Sequence, residues 1–243
     1  MSIHHQNSSP DQSRALFVEV SSIPTNRPSL EILEAVATRE QVHPFGEFAR
    51  ANRQAIEKCL QNRHFGAIIS GGQTGTDTAA FVFAEEKGIP RCGFAPRGYC
   101  NETGEIRESF RRDMILPAGE YGLLEGEEIK IETEKAAYLR NKLYAERTEQ
   151  NARYSHGTLI LDPGHLTDGT LLTKECALRY QRPEHVLIVP LRAEGHLQRT
   201  LVQDWLCANS FLFLNIAGPR ESHGVQFGIE IQEESLKLFR AAL

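Results

Sequence analysis

The 243-residue chain has no CxxC pair, no HExxH and no other regularly spaced histidine set, so neither a zinc site nor a two-thiol redox centre is expected. Its cysteines, Cys59, Cys92, Cys100, Cys176 and Cys207, are odd in number, which argues against a disulfide framework. Cys92 and Cys100 bracket a loop that contains Arg97, and both thiols are expected to be buried. Concentrated basic runs are also missing. With 27 Lys and Arg against 32 Asp and Glu, the formal charge is −5, a poor match to sequence-independent binding of nucleic-acid phosphates. No apolar stretch approaches the ~20 residues needed to span a bilayer, and Met1 to Arg14 lacks the apolar core of a secretory signal. A soluble, cytoplasmic protein with no nucleic-acid or membrane partner is the expectation.

What is present is enough apolar material for a full core. At 40% hydrophobic residues and roughly 150 residues per domain, one main domain is expected. Residues 1–63 read as an N-terminal extension: a polar, disordered start, a short strand from Arg14 to Val20, and helices from Ser29 to Val42 and from Gly46 to Arg63. From His64 onward, apolar runs alternate with helical patterns. The expected strands are Ala67 to Ile69, Ile89 to Ala95, Gly157 to Asp162, His185 to Leu191 and Phe211 to Ile216. Strand–helix alternation of this kind predicts an α/β fold, a parallel sheet with right-handed crossovers. The rhythm is interrupted at about 119–136, where from Glu120 to Glu134 six glutamates face one lysine, Lys130, and a solvated acidic insertion is expected.

Three of the strands run into glycine-containing turns that lead towards helical patterns. The first is Ser70-Gly71-Gly72-Gln73-Thr74-Gly75-Thr76-Asp77, the second Leu166-Thr167-Asp168-Gly169-Thr170, and the third Ala217-Gly218-Pro219-Arg220-Glu221-Ser222. A turn of this type leaves backbone N–H groups to meet an anion at the positive end of a helix dipole. In an open parallel sheet such turns lie beyond the carboxyl ends of the strands, so the three predict one composite pocket. A side chain at Gly72 is expected to block a phosphate from the first turn. Arg97 and Arg220 supply positive charge, and Arg147 belongs to a helical pattern whose other cations, Arg140, Lys142 and Arg153, read as a solvated face.

The segments SGGQTGTD, RTEQN (147–151), GTLIL (157–161), LTDGTLLT (166–173) and NIAGPRES (215–222), in this order and spacing, resemble the molybdenum cofactor carrier family. The resemblance runs from about Phe65 to the C-terminus. It implies a Rossmann-like sheet with helices on both faces, related to the lonely-guy phosphoribohydrolases. It implies binding and protection of the molybdenum cofactor, assembly as a homo-oligomer, usually a tetramer, and molybdoenzymes as partners. Carried over by motif, the cofactor-binding residues are Gly71, Gly72, Gln73, Thr74, Gly75 and Asp77; Arg97, Arg147 and Asn151; and Gly169, Thr170, Gly218 and Arg220. Thr78 stands where the family carries a basic residue, Asp168 where it carries a glycine, and His156 where it carries an acid.

Two classes of function compete on this pocket. A carrier would hold the phosphate of the pterin cofactor on the Gly71 to Gly75 turn, with the heterocycle across the strand ends, and needs no catalytic group. A nucleoside 5′-monophosphate phosphoribohydrolase needs a carboxylate near an oxocarbenium-like centre. The lonely-guy relatives place a glutamate just after their glycine turn, whereas Gly169-Thr170 is followed here by Leu171, Leu172, Thr173 and Lys174. Carriage is therefore the first reading and hydrolysis, with Asp77 or Asp168 as substitutes, the second. A nucleotide sensor would use the same pocket.

Overall fold

The computed structural model describes residues 30–38, 43–96, 98–117, 134–166 and 168–243. The expected strand at 14–20, Arg97 and nearly all of the acidic segment lie outside them. Among the described residues, six parallel strands form one sheet: β1 (Phe65–Ile69), β2 (Arg91–Phe94), β5 (Met114–Ile115), β6 (Gly157–Asp162), β7 (Val186–Pro190) and β8 (Phe211–Ala217). A two-stranded hairpin, β3 (Cys100–Asn101) with β4 (Gly104–Glu105), stands apart. The sheet order is β5-β2-β1-β8-β6-β7.

The central strands are buried along nearly their whole length, which is why they read as continuous apolar runs rather than alternating ones. One cluster joins Phe65, Ile68, Leu159 and Leu214 to α4 (Thr76–Lys87), α8 (Gly195–Ala208) and α10 (Ile231–Ala242). Another joins Ala67, Ile69 and Phe213 to α1 (Leu30–Thr38), α2 (Gly46–Ala51) and α3 (Arg53–Arg63). The sheet therefore has helices on both faces, an α/β Rossmann-like arrangement.

Several boundaries differ from the sequence reading. The single helix expected from Gly46 to Arg63 is two, because Asn52 leaves helical geometry at φ −108°, ψ 13° and turns its side-chain amide onto the Phe48 carbonyl at 2.9 Å. The sixth strand, Met114–Ile115, pairs with Gly93 and Phe94 and was not expected. Cys92 is buried, but Cys100 is exposed on the hairpin. Arg153 is not on a solvated face: its guanidinium lies 5.5 Å from the Tyr154 ring and 5.7 Å from that of Tyr180.

The order of the strands matters for the site. Strands β1, β8 and β6 are adjacent, so the turns that follow them sit side by side at one edge of the sheet. Between them the chain reverses its direction of sheet growth, with β2 and β5 on one side and β7 on the other.

Candidate functional site

The first turn is held to the third by direct contacts. The Ser70 hydroxyl donates to the Ile216 carbonyl at 2.8 Å, Thr76 N donates to the Pro219 carbonyl at 3.2 Å, and Glu221 N donates to the Thr74 hydroxyl at 3.2 Å. Gly75 permits this approach: it has φ +70°, and a Cβ there would lie 2.5 Å from the Pro219 oxygen. Glu102, from the β3–β4 hairpin, clasps the same junction. It accepts hydrogen bonds from the Thr74 hydroxyl, from Ser222 N at 3.0 Å and from the Ser222 hydroxyl at 2.5 Å, while its own N–H donates to Gln73 Oε1 at 3.3 Å. Burial disfavours its charged form, yet the bonds from Ser222 and Thr74 outweigh that and hold the carboxyl below its usual range.

Asp77 falls in the first turn of α4 and is buried. Its Oδ2 accepts from Gln73 N at 3.2 Å and from Arg147 Nη1 at 3.1 Å. Gln73 N is thus satisfied by the protein's own carboxylate and Thr76 N by Pro219, so these amides of the turn are already engaged. Burial pushes the Asp77 carboxyl up, against the pull of Arg147, and it pushes Arg147 down, with Asp77 opposing and Arg220 adding to the effect. The guanidinium of Arg147 lies across Gly71, where a Cβ would be 1.9 Å from Nη1. Close approach, rather than a left-handed backbone, is what requires glycine at 71.

Arg147 and Arg220 converge on one ring. Their guanidinium carbons are 5.9 and 4.9 Å from the centroid of Tyr144. Arg147 has Asp77; among the described residues Arg220 has no carboxylate at ion-pair distance. The two arginines, Tyr144 and the three turns enclose a cavity of about 660 Å³, within the range of small-molecule sites. Its wall also includes Thr148, Asn151, His165, Gly169, Thr173, Asn215, Gly218 and His223. Among the described residues, three buried side-chain polar atoms of this lining have no hydrogen-bond partner: Gln73 Nε2, Arg147 Nε and His223 Nδ1.

Of the residues singled out in the sequence, Gly71, Gln73, Asp77, Arg147, Asn151, Gly169, Gly218 and Arg220 line this cavity. Gly72, Thr74, Gly75 and Thr170 are not among the lining residues, and Arg97 is outside the described residues. Gly72 has φ +72°, and a side chain there would point at Ile106 and Met114 rather than at a ligand. Asn151 lines the wall, yet its amide is engaged: Phe94 N donates to Oδ1 at 2.7 Å and Nδ2 donates to Phe94 O at 3.3 Å. Tyr144, Thr148, His165, Thr173, Asn215 and His223 were not anticipated. The helical spacing of Tyr144, Arg147, Thr148 and Asn151, which puts them on one face of α6 (Glu134–Arg153), was the available signal for the first two. Among the described residues no group of three or more His, Cys, Asp or Glu side chains is arranged to hold a metal ion. No helix among them is long and apolar enough to cross a membrane.

Residues 68–239 match the model of the circularly permuted YpsA SLOG family. The fold is similar to a crystal structure from Syntrophus aciditrophicus described as a putative molybdenum carrier protein, with 31% sequence identity and a TM-score of 0.58 over 73% of this chain and 94% of that one. No curated protein matches the chain.

Proposed function

The chain belongs to the circularly permuted YpsA SLOG family, and on that premise we propose that it binds and carries a phosphorylated pterin, the molybdenum cofactor, in the cavity at the carboxyl edge of its sheet. The observation that carries this reading is the pairing of Arg147 and Arg220 on Tyr144 with one carboxylate, Asp77, among the described lining residues. Two guanidinium groups around one ring repel each other; Asp77 is committed to Arg147, and Glu102, engaged by Thr74 and Ser222, acts on Arg220 only from beyond ion-pair distance, which leaves positive charge to be met by a ligand. A charge-assisted hydrogen bond from each arginine contributes about 1.5–3 kcal/mol, enough for micromolar affinity once apolar and stacking contacts are added.

Carriage also suits what the cavity offers chemically. Asp77 is held by Arg147 and Gln73 N, so it is poorly placed to support an oxocarbenium centre, and Thr173 rather than an acid faces the cavity beyond the second turn. Delivery to molybdoenzymes and assembly as a homo-oligomer complete the proposal. Mass spectrometry of small molecules released from protein purified from its native host tests it: a pterin oxidation product is expected, and a nucleoside monophosphate in its place would contradict it.

A further inference from the structure

Gln73 is 4% exposed, lines the cavity, and uses its two side-chain atoms unequally. Oε1 accepts the Glu102 N–H at 3.3 Å, whereas Nε2 is buried without a partner. An amide donor left unsatisfied out of water costs free energy, and a native site retains one where something else is meant to accept from it. His223 Nδ1, in the short helix Glu221–Phe227 that follows the third turn, is likewise buried without a partner. His223 N donates to the Arg220 carbonyl at 3.1 Å, which fixes its residue beside Arg220. The carboxylates around this corner are engaged: Asp77 by Arg147 and Gln73 N, Glu221 by Ile231 N and Gln232 N, and Glu102, which does not line the cavity, by Thr74 and Ser222.

We propose that Gln73 Nε2, His223 Nδ1 and the Arg220 guanidinium together form the seat for a tetrahedral oxyanion, the phosphate group of a monoester ligand. The inference rests on the reading of this cavity as an anionic-ligand pocket and places the anion between the first and third turns, not on the engaged amides of the first turn. Three donor-bearing side chains in the wall of one cavity suit a tetrahedral group whose oxygens are all acceptors. His223 donates in the tautomer that carries its proton on Nδ1. The adjoining hairpin is connected to the seat, because the same Gln73 side chain bonds the Glu102 backbone.

Isothermal calorimetry with ribose 5-phosphate, inorganic phosphate and molybdate, on wild type, Gln73→Glu and His223→Phe, tests the assignment. Gln73→Glu keeps an acceptor for Glu102 N but replaces the donor by a second acceptor with negative charge. His223→Phe keeps the ring and removes the donor. Ribose 5-phosphate is expected to bind wild type, and each variant to weaken it by about tenfold or more. Tighter binding of free phosphate or molybdate than of the ester, with the same losses in the variants, supports the seat and names a free oxyanion as its occupant. Unchanged affinity in folded variants overturns the seat while leaving the pocket reading intact, and no binding of any probe to wild type overturns both. Should either variant fail to fold, side-chain amide NMR on wild type decides: a Gln73 Nε2 resonance that shifts on adding ribose 5-phosphate supports the seat, and one that stays fixed overturns it.

Discussion

Arg147 donates to Asp77 across 3.1 Å from seventy residues further along the chain, and the two side chains are only 12% and 7% exposed. The pair ties α6 to the start of α4 and sets the floor of the cavity. Removing one member leaves the other charge buried without its partner. Arg147→Ala is expected to lower unfolding free energy by about 3–5 kcal/mol, read from denaturant melts, with Asp77→Asn in the same range. A double variant that loses the sum of the two would show that they do not act as a pair.

Gly71 and Gly72 are neighbours with different tasks. Gly71→Ala should displace the Arg147 guanidinium and so weaken ligand binding and stability together, with little further loss when Arg147 is already alanine. Gly72→Val forces a β-branched residue to φ +72° and drives it against Ile106 and Met114. Its expected effect is about 2–5 kcal/mol on stability. Calorimetric affinity in the fraction that folds should be little changed; a stable Gly72→Val protein with abolished binding would put Gly72 back in the ligand site.

A second polar feature predicts behaviour in acid. His43 stacks on Phe213 at 5.5 Å, His156 lies 5.7 Å from the same ring, and His185 lies 5.4 Å from Phe211. Burial lowers His43 to about 4 and His156 to about 3, and it lowers His185 as well. Unfolded, each would titrate near 6.5, so the unfolded chain binds more protons in acid. Their stability contribution is complete above about pH 6.5 and is lost as pH falls through the range down to the folded values. Near pH 5, unfolding should take up about two protons from His43 and His156, a slope of roughly 2–3 kcal/mol per pH unit. His43→Phe should reduce that uptake by about one proton; an identical slope in wild type and variant would refute the assignment.

The sequence revealed the strands that carry the turns more readily than the contacts between the turns. Gly157–Asp162 was readable to the residue, because four apolar-rich positions stand between a glycine and an Asp-Pro turn. Met114–Ile115 was not, since two residues carry no periodicity and the strand exists through its pairing with Gly93 and Phe94. The motif around Arg147 pointed to the cavity, but it could not show that Asn151 spends its amide on Phe94, or that Asp77 occupies the Gln73 N–H. Glu102 was illegible for a similar reason. Its role depends on a hairpin folding back across two turns whose residues lie 28 and 120 positions away.

Arg220 is the cavity's second cation, and its loss should leave the fold in place while weakening the ligand. Arg220→Ala is expected to reduce affinity for a phosphorylated ligand by about tenfold or more, with no comparable change in the unfolding midpoint. The wild-type affinity should also fall as salt is raised, because the contact opens to solvent. Affinity that is unaffected by both changes would remove Arg220 from the site.

The central claim is carriage without turnover, and one measurement meets it most directly. The protein is incubated with molybdenum cofactor and, separately, with AMP, and both the cofactor retained after gel filtration and the adenine released are quantified. The expected result is protected cofactor at a fixed ratio to protein and no adenine beyond background. Multiple-turnover release of adenine, with no protection of the cofactor, would contradict the account and make the protein a phosphoribohydrolase.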